Sequence, residues 1–432
     1  MKLSQKIRIN PSKEQEYLLW IFSEKCRLLY NFALAERIEN WKNNKTNLDD
    51  TPQYITYTAL SKALPSLKEK YPEYRWVYSK VLQTTLEKLD RDYKSFFSLW
   101  EKGDTTARPP HFKGKKYFST LCYNQSGFKI KENSFIFSHK HPSKIALRFT
   151  IPSHLIPQEK MKQVEIFFSD KKWFISITYE FNPPPYIDNS FYQAFDLGIN
   201  QTVGVNIVGK SIQFRNRRAD LYWKKKIEQV QSKRDHCKMH SKKWNWYHLK
   251  LCNMIRRCAY QLRDYQHWLS NQIISHTKAN TVIVGKLKVK EMAQKKKGTG
   301  NATKNKQNKT LNHSVHNTGY MSRFVKFLTY KAVKVGKRVI RISESKTTKK
   351  CCKCGHEKER ALYERTIICD CGNHIDRDLN SAINIMVFFL YKKDTYDFLS
   401  HQSSVNEESF KNRWKGFLRK TDQSEVEAIA YS

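Results

Sequence analysis

The sequence predicts a multidomain α+β and α/β protein. An N-terminal β-barrel with an inserted helical block is followed by an α/β domain that contains a metal-binding module. Three observations predict this architecture. A length of 432 residues allows two to four domains. Apolar residues recur with helical spacing in residues 13–104, between stretches of β-like alternation. Five of the ten cysteines lie between Cys351 and Cys371, which is typical of a metal site in a reducing compartment.

The charge of the chain indicates a polyanionic partner. Lysine and arginine total 79 against 40 aspartate and glutamate residues, which gives a formal net charge of +39. Such self-repulsion has no use in an ordinary metabolic enzyme, whereas a polyanion neutralises it. Nucleic acid is the first candidate, and an anionic membrane surface is the second. The aromatic content of 13% suits base stacking as well as hydrophobic cores.

The sequence shows no targeting segment. The first twenty residues alternate charged and apolar groups without a continuous apolar region, so we expect no signal peptide. The longest strongly apolar run, residues 385–391, is far shorter than the ~20 residues of a membrane span. We therefore expect a soluble cytoplasmic protein without a membrane partner, associated with the nucleoid.

The N-terminal half alternates between strand and helix patterns. A strand pattern precedes Ser12 and Gln15, which have the spacing of a capping box. Apolar residues then follow one helix face, and short β-like stretches return after the helical block. We predict that residues 1–12 and 105–185 form the β-barrel and that residues 13–104 form the inserted helical block.

The C-terminal half has the pattern of an α/β domain. A long basic helical stretch is expected to break near Ser241, and residues 285–311, with nine lysines and one glutamate, are predicted to form a mobile loop. We assign residues 190–344 and 373–392 to the α/β domain and residues 345–372 to the inserted module, and no pattern places residues 393–432. The predicted elements are strands at 193–197, 201–208, 281–284 and 337–343 and helices at 219–277, 321–335 and 378–389.

Two segments offer carboxylates for a metal site. Asp196 in "AFDLGIN" ends an apolar strand just before a glycine turn. Asp376 and Asp378 precede an apolar helix face in "HIDRDLNSAINI". We expect Asp378 to cap that helix and Asp376 to project ahead of it. Asp196 and Asp376 together form a candidate two-metal site, because magnesium prefers a few carboxylates with water and phosphate oxygens.

The cysteine cluster predicts a structural zinc site. Two short knuckles with four thiolates make a tetrahedral site. The first knuckle has two residues between its cysteines, whereas the second has only one. This shorter spacing leaves open whether Cys352 or His374 completes the tetrahedron instead. The expected ligands are Cys351, Cys354, Cys369 and Cys371.

Basic residues interleaved with aromatic ones are the predicted nucleic-acid contacts. A solvated helix face is the plainer explanation, but the density and shared sign of these charges favour phosphate contacts. The candidates are Lys113, Lys115, Lys116, Arg215, Arg217, Arg218, Lys224, Lys225, Lys286, Lys288, Lys295, Lys296 and Lys297.

Five segments resemble those of the transposon-encoded TnpB (OrfB) family, whose members are related to the type V CRISPR effector nucleases. In chain order they read "INPSKEQ…CRLLYNFAL", "RPPHFKGKK", "FDLGIN", "TTKKCCKCGH" and "CGNHIDRDLNSAINI". The resemblance implies an RNA-guided DNA endonuclease of a transposable element. Such a protein binds a guide RNA made from the transposon end and cuts double-stranded target DNA with magnesium or manganese in a RuvC domain.

The same resemblance implies the identity of each predicted domain and of the catalytic residues. The β-barrel would be WED-like, the helical block REC-like, and the α/β domain RNase H-like (RuvC) with a zinc-ribbon insertion. The family uses three carboxylates, of which Asp196 matches the first and Asp376 the third. The second is normally a glutamate at the end of the strand that here reads "TVIVGKLKVKEM", where this chain has Gly285.

A neighbouring strand offers a replacement for the missing glutamate. In an RNase H-like sheet the strands 281–285 and 338–343 should be parallel neighbours about 4.8 Å apart. We therefore expect Glu344 beside Gly285, where its carboxylate completes a magnesium site. Glu291, six residues after Gly285, is the alternative.

Gly285 also supports a different function, that of a nuclease-deficient RNA-guided DNA-binding protein such as a repressor. Asp196 and Asp376 speak against this alternative, because a binding protein needs neither. A third function, that of a transposase accessory DNA-binding protein, rests only on the genetic context of the family.

Overall fold

The structure, a computed structural model, describes residues 1–46, 53–286, 320–343, 347–361, 364–395 and 426–429. The chain divides into two compact units, Met1–Asn182 and Pro183–Ser432. Each unit has hydrophobic clusters of its own. In the described ranges, no helix has the length and apolar character needed to cross a membrane.

The first unit contains a bundle of helices that begins with the predicted capping box. Ser12 Oγ accepts a hydrogen bond from the Gln15 N–H at 3.2 Å, and Gln15 Oε1 accepts one from the Ser12 N–H at 3.0 Å. The capping box is thus confirmed. The helices are α1 (Lys13–Thr46), α2 (Tyr57–Lys62), α3 (Leu64–Lys70) and α4 (Ser79–Glu101).

The strands of the first unit form two antiparallel sheets. The larger sheet has the order β1-β7-β6-β2 and the smaller one has the order β3-β4-β5. The strands are β1 (Lys2–Ile9), β2 (Leu121–Asn124), β3 (Phe128–Lys131), β4 (Ser134–Phe137), β5 (Leu147–Thr150), β6 (Met161–Ser169) and β7 (Lys172–Glu180).

The prediction of a closed N-terminal β-barrel is wrong. A barrel closes when the two edge strands of a sheet hydrogen-bond to each other. In the part of the chain that the structure describes, β1 pairs with β7 and β2 pairs with β6, and no ladder joins β1 to β2. Helices cover the sheet instead, since Ile175 and Ile177 of β7 share one core with Leu19 and Phe22 of α1.

The second unit is built on a six-stranded mixed sheet with the order β12-β11-β8-β9-β10-β15. β11 runs parallel to β8 and to β12, and β9 runs antiparallel to β8 and to β10. β15 comes from the last forty residues, which no sequence pattern placed. The strands are β8 (Tyr192–Leu197), β9 (Gln201–Asn206), β10 (Ser211–Arg215), β11 (Thr281–Lys286), β12 (Arg338–Ser343) and β15 (Val426–Ile429).

Helices and a small hairpin complete the second unit. The predicted break near Ser241 is confirmed, because Ser241 Oγ accepts a hydrogen bond from the Trp244 N–H at 3.1 Å and begins a new helix there. β13 (Thr366–Ile368) and β14 (His374–Asp376) form the antiparallel hairpin. The helices are α5 (Ala219–Asp235), α6 (Lys242–His276), α7 (Tyr320–Lys334) and α8 (Arg377–Thr395).

The six-stranded sheet is covered on both faces. Phe195 and Val284 belong to a core with residues of α6 and α7, whereas Ala194 and Ile283 belong to a core with residues of α8. Because side chains alternate along a strand, Asp196 faces the same side as Ala194. The sheet therefore presents this carboxylate on the face that α8 covers.

Candidate functional site

A tight turn follows the strand that carries Asp196. Asp196 is half-buried near the end of β8. Gly198 begins the turn into β9, and a Cβ at this position would lie 2.4 Å from the backbone oxygen of Gln201. Real Cβ atoms do not approach a backbone oxygen so closely, so this position requires glycine. The glycine of "FDLGIN" thus allows the chain to fold back directly beside the carboxylate.

Asn216 holds this turn in place. Its side chain is buried, and its Nδ2 donates a hydrogen bond to the Gly198 carbonyl at 2.8 Å. Its Oδ1 accepts one from the Tyr265 hydroxyl of α6 at 2.8 Å. The sequence interpretation used only its neighbours Arg215 and Arg217, as candidate phosphate contacts, and missed this residue. The sequence feature that could have pointed to Asn216 is its position as a single amide between two arginines.

The structure reverses the expected roles of the two aspartates before α8. Asp376 is the cap, because its Oδ1 accepts hydrogen bonds from the N–H groups of Asp378 at 2.9 Å and Leu379 at 3.0 Å. The prediction that Asp378 caps the helix is therefore wrong. α8 begins at Arg377, so the residue directly before it occupies the cap position. In the described ranges, Oδ2 of the exposed Asp376 has no hydrogen-bond partner and remains available to a ligand.

Asp378 connects the start of α8 to the sheet edge that carries Asp196. Its Oδ2 accepts a hydrogen bond from Gln201 Nε2 at 2.6 Å. Gln201 begins β9, and the next residue, Thr202, pairs with Leu197 at the end of β8. The N-terminus of α8 and the end of β8 therefore lie at the same corner of the sheet. The fold thus brings the segments that carry Asp196 and Asp376 to the same corner of the sheet.

The strand with Gly285 reaches the same edge. Val284 pairs with Phe195 of β8, and Gly285 pairs with Ile342 of β12. The predicted parallel pairing of β11 and β12 is confirmed. The register nevertheless places Ile342 opposite Gly285, and not Glu344 as expected. The side chains of Glu344 and Glu291 lie outside the described residues.

The four predicted zinc ligands form one compact cluster. The Sγ atoms of Cys351 and Cys371 lie 3.7 Å apart, and those of Cys354 and Cys369 lie 3.6 Å apart. All four Sγ atoms lie within 4.8 Å of one another. A tetrahedral zinc ion with bonds of about 2.3 Å separates its sulfur ligands by about 3.8 Å. The cluster therefore fits a tetrahedral zinc site with four cysteine ligands.

The local electrostatics of the cluster favour a bound cation. Burial opposes the ionisation of Cys351, but hydrogen bonds from the Cys354 N–H and the Asn373 amide lower the pKa of this thiol to about 6. Burial and the neighbouring thiols raise the pKa of Cys371 to about 12. Several adjacent thiolates are stable together only when a metal ion compensates their charge.

The alternative ligands are placed elsewhere. Cys352 is buried in the apolar core that α8 shares with the sheet, and His374 lies exposed in β14. Neither residue belongs to the cluster that the described residues form. Both knuckles turn through glycines in the left-handed region, Gly355 with φ 77° and Gly372 with φ 81°. The short second knuckle therefore closes with its own two cysteines.

The sequence interpretation missed the amides that support the cluster. Asn373 is buried, and its Nδ2 donates to Cys351 Sγ at 3.2 Å. Asn380 and Asn384 of α8 hydrogen-bond the backbone that leads into the first knuckle. Their sequence signal was the pair of polar residues, four apart, within the apolar helix pattern of "DLNSAINI".

The predicted basic residues differ in their surroundings. Exposed members are Lys115, Lys116, Arg215, Arg217, Lys225 and Lys286. Half-buried members are Lys113, Arg218 and Lys224. Lys288, Lys295, Lys296 and Lys297 lie outside the described residues.

Lys113 and Arg218 illustrate the structural contacts of the half-buried residues. Arg218 forms an ion pair with Asp220 at 2.8 Å. The Lys113 carbonyl accepts hydrogen bonds from Arg27 at 2.7 Å and Asn31 at 3.0 Å, and burial together with nearby Lys88 lowers the pKa of its ammonium group. The side chain of Arg218 and the backbone of Lys113 are therefore held by contacts within the protein.

Comparison with known proteins supports the resemblance seen in the motifs. Residues 1–46 match the helix-turn-helix domain of IS605 OrfB, and residues 322–385 match the Cas12f1-like TNB domain. An Escherichia coli (strain K12) protein named "Putative RNA-guided DNA endonuclease InsQ" is 26% identical over 391 residues, which cover 88% of this chain and 90% of that protein. A Streptomyces pristinaespiralis protein named "Putative RNA-guided DNA endonuclease" is 23% identical over 392 residues, which cover 89% of each chain.

A solved structure shares the fold of the chain. The Cas12f1 protein in a cryo-EM structure of its complex with sgRNA and target DNA superimposes with a TM-score of 0.54 and 13% identity, over 89% of this chain and 98% of that chain. The mixed α/β multidomain fold is thus similar to that of a Cas12 effector. This structure shows the fold alone, whereas the domain matches and the two long alignments show that the chain is similar to OrfB proteins and to proteins named as RNA-guided DNA endonucleases.

Proposed function

We propose that the chain is an RNA-guided DNA endonuclease of a transposable element. The main observation that supports this function is the position of Asp196 and of the N-terminus of α8, with Asp376, at one edge of the sheet. Long alignments to proteins named as RNA-guided DNA endonucleases support the same function. In this proposal residues 190–344 and 373–392 form the RuvC domain. The helices of residues 13–104 form a REC-like block, and the two sheets of residues 1–12 and 105–185 are the open counterpart of a WED domain.

The residues at this edge have distinct roles in the proposed reaction. Asp196 and the free Oδ2 of Asp376 supply oxygen ligands, which magnesium or manganese prefers. Ions held by these carboxylates would supply activation of the attacking water and stabilisation of the leaving 3′ oxygen. Asn216 and Gly198 keep the end of β8 rigid, which holds Asp196 in one place. The cysteine cluster has a structural role and would hold zinc.

Glu344 is the proposed third carboxylate. Ile342 pairs with Gly285 and is buried in the core on the α8 side. Residues two apart along an extended chain share a face and lie about 6.6 Å apart, and this general rule motivates the choice of Glu344, two positions after Ile342. Gly285 has no side chain to obstruct a long glutamate there. Glu291 would require the chain to double back.

A cleavage assay tests this assignment. The chain, expressed with its flanking transposon end and purified with its RNA, receives guide-matched DNA with a randomised flank and magnesium. We expect cutting by the wild type and by Glu291→Ala but not by Glu344→Ala. Cutting that disappears only in Glu291→Ala would transfer the role to that residue.

Gly285 favours one second candidate, a nuclease-deficient RNA-guided DNA-binding protein. The observation behind it is that β11 carries no carboxylate at the position where the family places its glutamate. In the same assay this candidate would show RNA copurification and guide-dependent DNA binding without any cutting.

Binding to nucleic acid is expected to depend steeply on salt, because the chain carries a net charge of +39. Each phosphate contact contributes roughly 0.7 to 0.9 to the slope of log K against log salt. Arg215 is exposed and forms no ion pair with another described residue, whereas Arg218 is paired with Asp220. We therefore expect Arg215→Gln to lower the slope by about one unit and Arg218→Gln to lower it less. A slope that is flat in the wild type would contradict the electrostatic basis of binding.

A further inference from the structure

Two asparagines of α8 hold the backbone of the first cysteine knuckle. Asn380 is fully buried, accepts a hydrogen bond from the Cys352 N–H at 2.8 Å, and donates one to the Lys350 carbonyl at 2.8 Å. Asn384, one turn later, donates to the carbonyls of Lys350 and Thr347, each at 2.8 Å. The knuckle is thereby attached to the first two turns of the helix.

The second cysteine knuckle leads directly to Asp376. Cys369 and Cys371 lie in the turn between β13 and β14, and β14 ends at Asp376. In this hairpin Thr366 pairs with Asp376. An isolated two-stranded hairpin is marginally stable in water. The position of the carboxylate therefore depends on what holds the hairpin.

The cysteine cluster closes a ring between these two attachments. Cys351 Sγ lies 3.7 Å from Cys371 Sγ, and Asn373 after the second knuckle donates to Cys351 Sγ at 3.2 Å. One side of the ring ends in Asn380, within α8. The other side ends in Asp376, which caps the same helix through two N–H groups.

We propose that Asn380 and Asn384 are positioning residues, which make the cysteine cluster the support of Asp376 in the nuclease site. The effect on cutting rests on the proposed function, whereas the effect on the position of Asp376 does not. Loss of the Asn380 contacts would let the knuckle, the hairpin and Asp376 shift relative to α8. A displacement of about 1 Å at a catalytic group costs roughly a hundredfold in rate.

Hydrogen exchange in the full chain with its RNA tests the position of Asp376 without requiring activity. The N–H groups of Asp378 and Leu379 are protected by the Asp376 carboxylate in the wild type. In Asn380→Ala we expect exchange in the peptide 374–384 to be about tenfold faster or more, a loss of ~1.4 kcal/mol of protection, while the sheet peptide 281–286 is unchanged. Stripping the metal from the wild type with a chelator should accelerate the same peptide.

Asn253→Ala is the matched control, since Asn253 is an exposed asparagine of α6 that contacts Arg256. We expect no change in the peptide 374–384 in this variant. Asn384→Ala is a milder variant, because Asn380 still holds the Lys350 carbonyl. We expect it to increase the exchange rate of the same peptide by a smaller factor. This variant provides the test if Asn380→Ala does not fold.

The cleavage rate of Asn380→Ala distinguishes a positioning role of Asn380 from a general effect on stability. We expect the single-turnover rate of Asn380→Ala at saturating DNA to fall about a hundredfold, with the Kd for guide-matched DNA within twofold of the wild type. Unchanged exchange at 374–384, or faster exchange that includes 281–286, would overturn the proposal. If the wild type does not cut but the exchange change stays confined to 374–384, the nuclease function fails and the positioning of Asp376 stands.

Discussion

Replacement of Asp196 by alanine is expected to reduce DNA cutting about a hundredfold to a thousandfold and to leave RNA binding intact. Asp196 is half-buried at the end of β8, on the face that α8 covers, beside a turn that Gly198 and Asn216 fix. Removal of Asp196 would take away one of the few carboxylates of the proposed site, in which magnesium is held by one or two carboxylates together with water and phosphate oxygens. The fold should tolerate the change, because the neighbouring side chains Phe195 and Leu197 carry the core contacts of β8.

The measurement is a single-turnover cleavage rate beside an RNA-binding titration. Asp235→Ala is the control, because Asp235 is an exposed carboxylate at the end of α5 and its removal changes the net charge equally. We expect the control to cut at the wild-type rate. Parallel loss of RNA binding and cutting in Asp196→Ala would instead assign this residue to folding.

Loss of one cluster thiol is expected to release the zinc and to destabilise the second unit. Cys371→Ser breaks the four-cysteine arrangement in which all Sγ atoms lie within 4.8 Å of one another. The cluster joins both knuckles to α8, and loss of a structural metal is among the most destabilising changes. We therefore expect the free energy of unfolding of the second unit to fall by about 4 kcal/mol. The first unit has its own core and should unfold as in the wild type.

Metal analysis and thermal unfolding check this expectation. Cys237→Ser is the control, because Cys237 is a half-buried thiol two residues after α5, outside the cluster. We expect one zinc per chain in the wild type and in this control, and none in Cys371→Ser. Purified wild-type chain without zinc would refute the structural metal site.

Patterns within short segments of the sequence predicted several local features of the fold. The capping box at Ser12 and the helix break at Ser241 were predictable, because caps and apolar periodicity act over a few residues. The parallel pairing of β11 with β12 was expected only from the resemblance to proteins with an RNase H-like sheet. The open arrangement of the two N-terminal sheets was not predictable, because the alternation of side chains along a strand does not show which edge strands will pair. The two open sheets followed from the packing of α1 on residues of β7.

The sequence by itself determined the candidate functional groups. These are cysteines with knuckle spacing, an aspartate at the end of a strand, another aspartate before a helix, and a strong positive charge. Donor types and their local spacing are properties of side chains, so they need no tertiary contacts. The tertiary structure alone decided that Gln201 contacts Asp378 at the start of α8, that Ile342 pairs with Gly285, and that Asn380 holds the first knuckle. Register and buried hydrogen bonds join residues far apart in the chain, and only the packed fold brings them together.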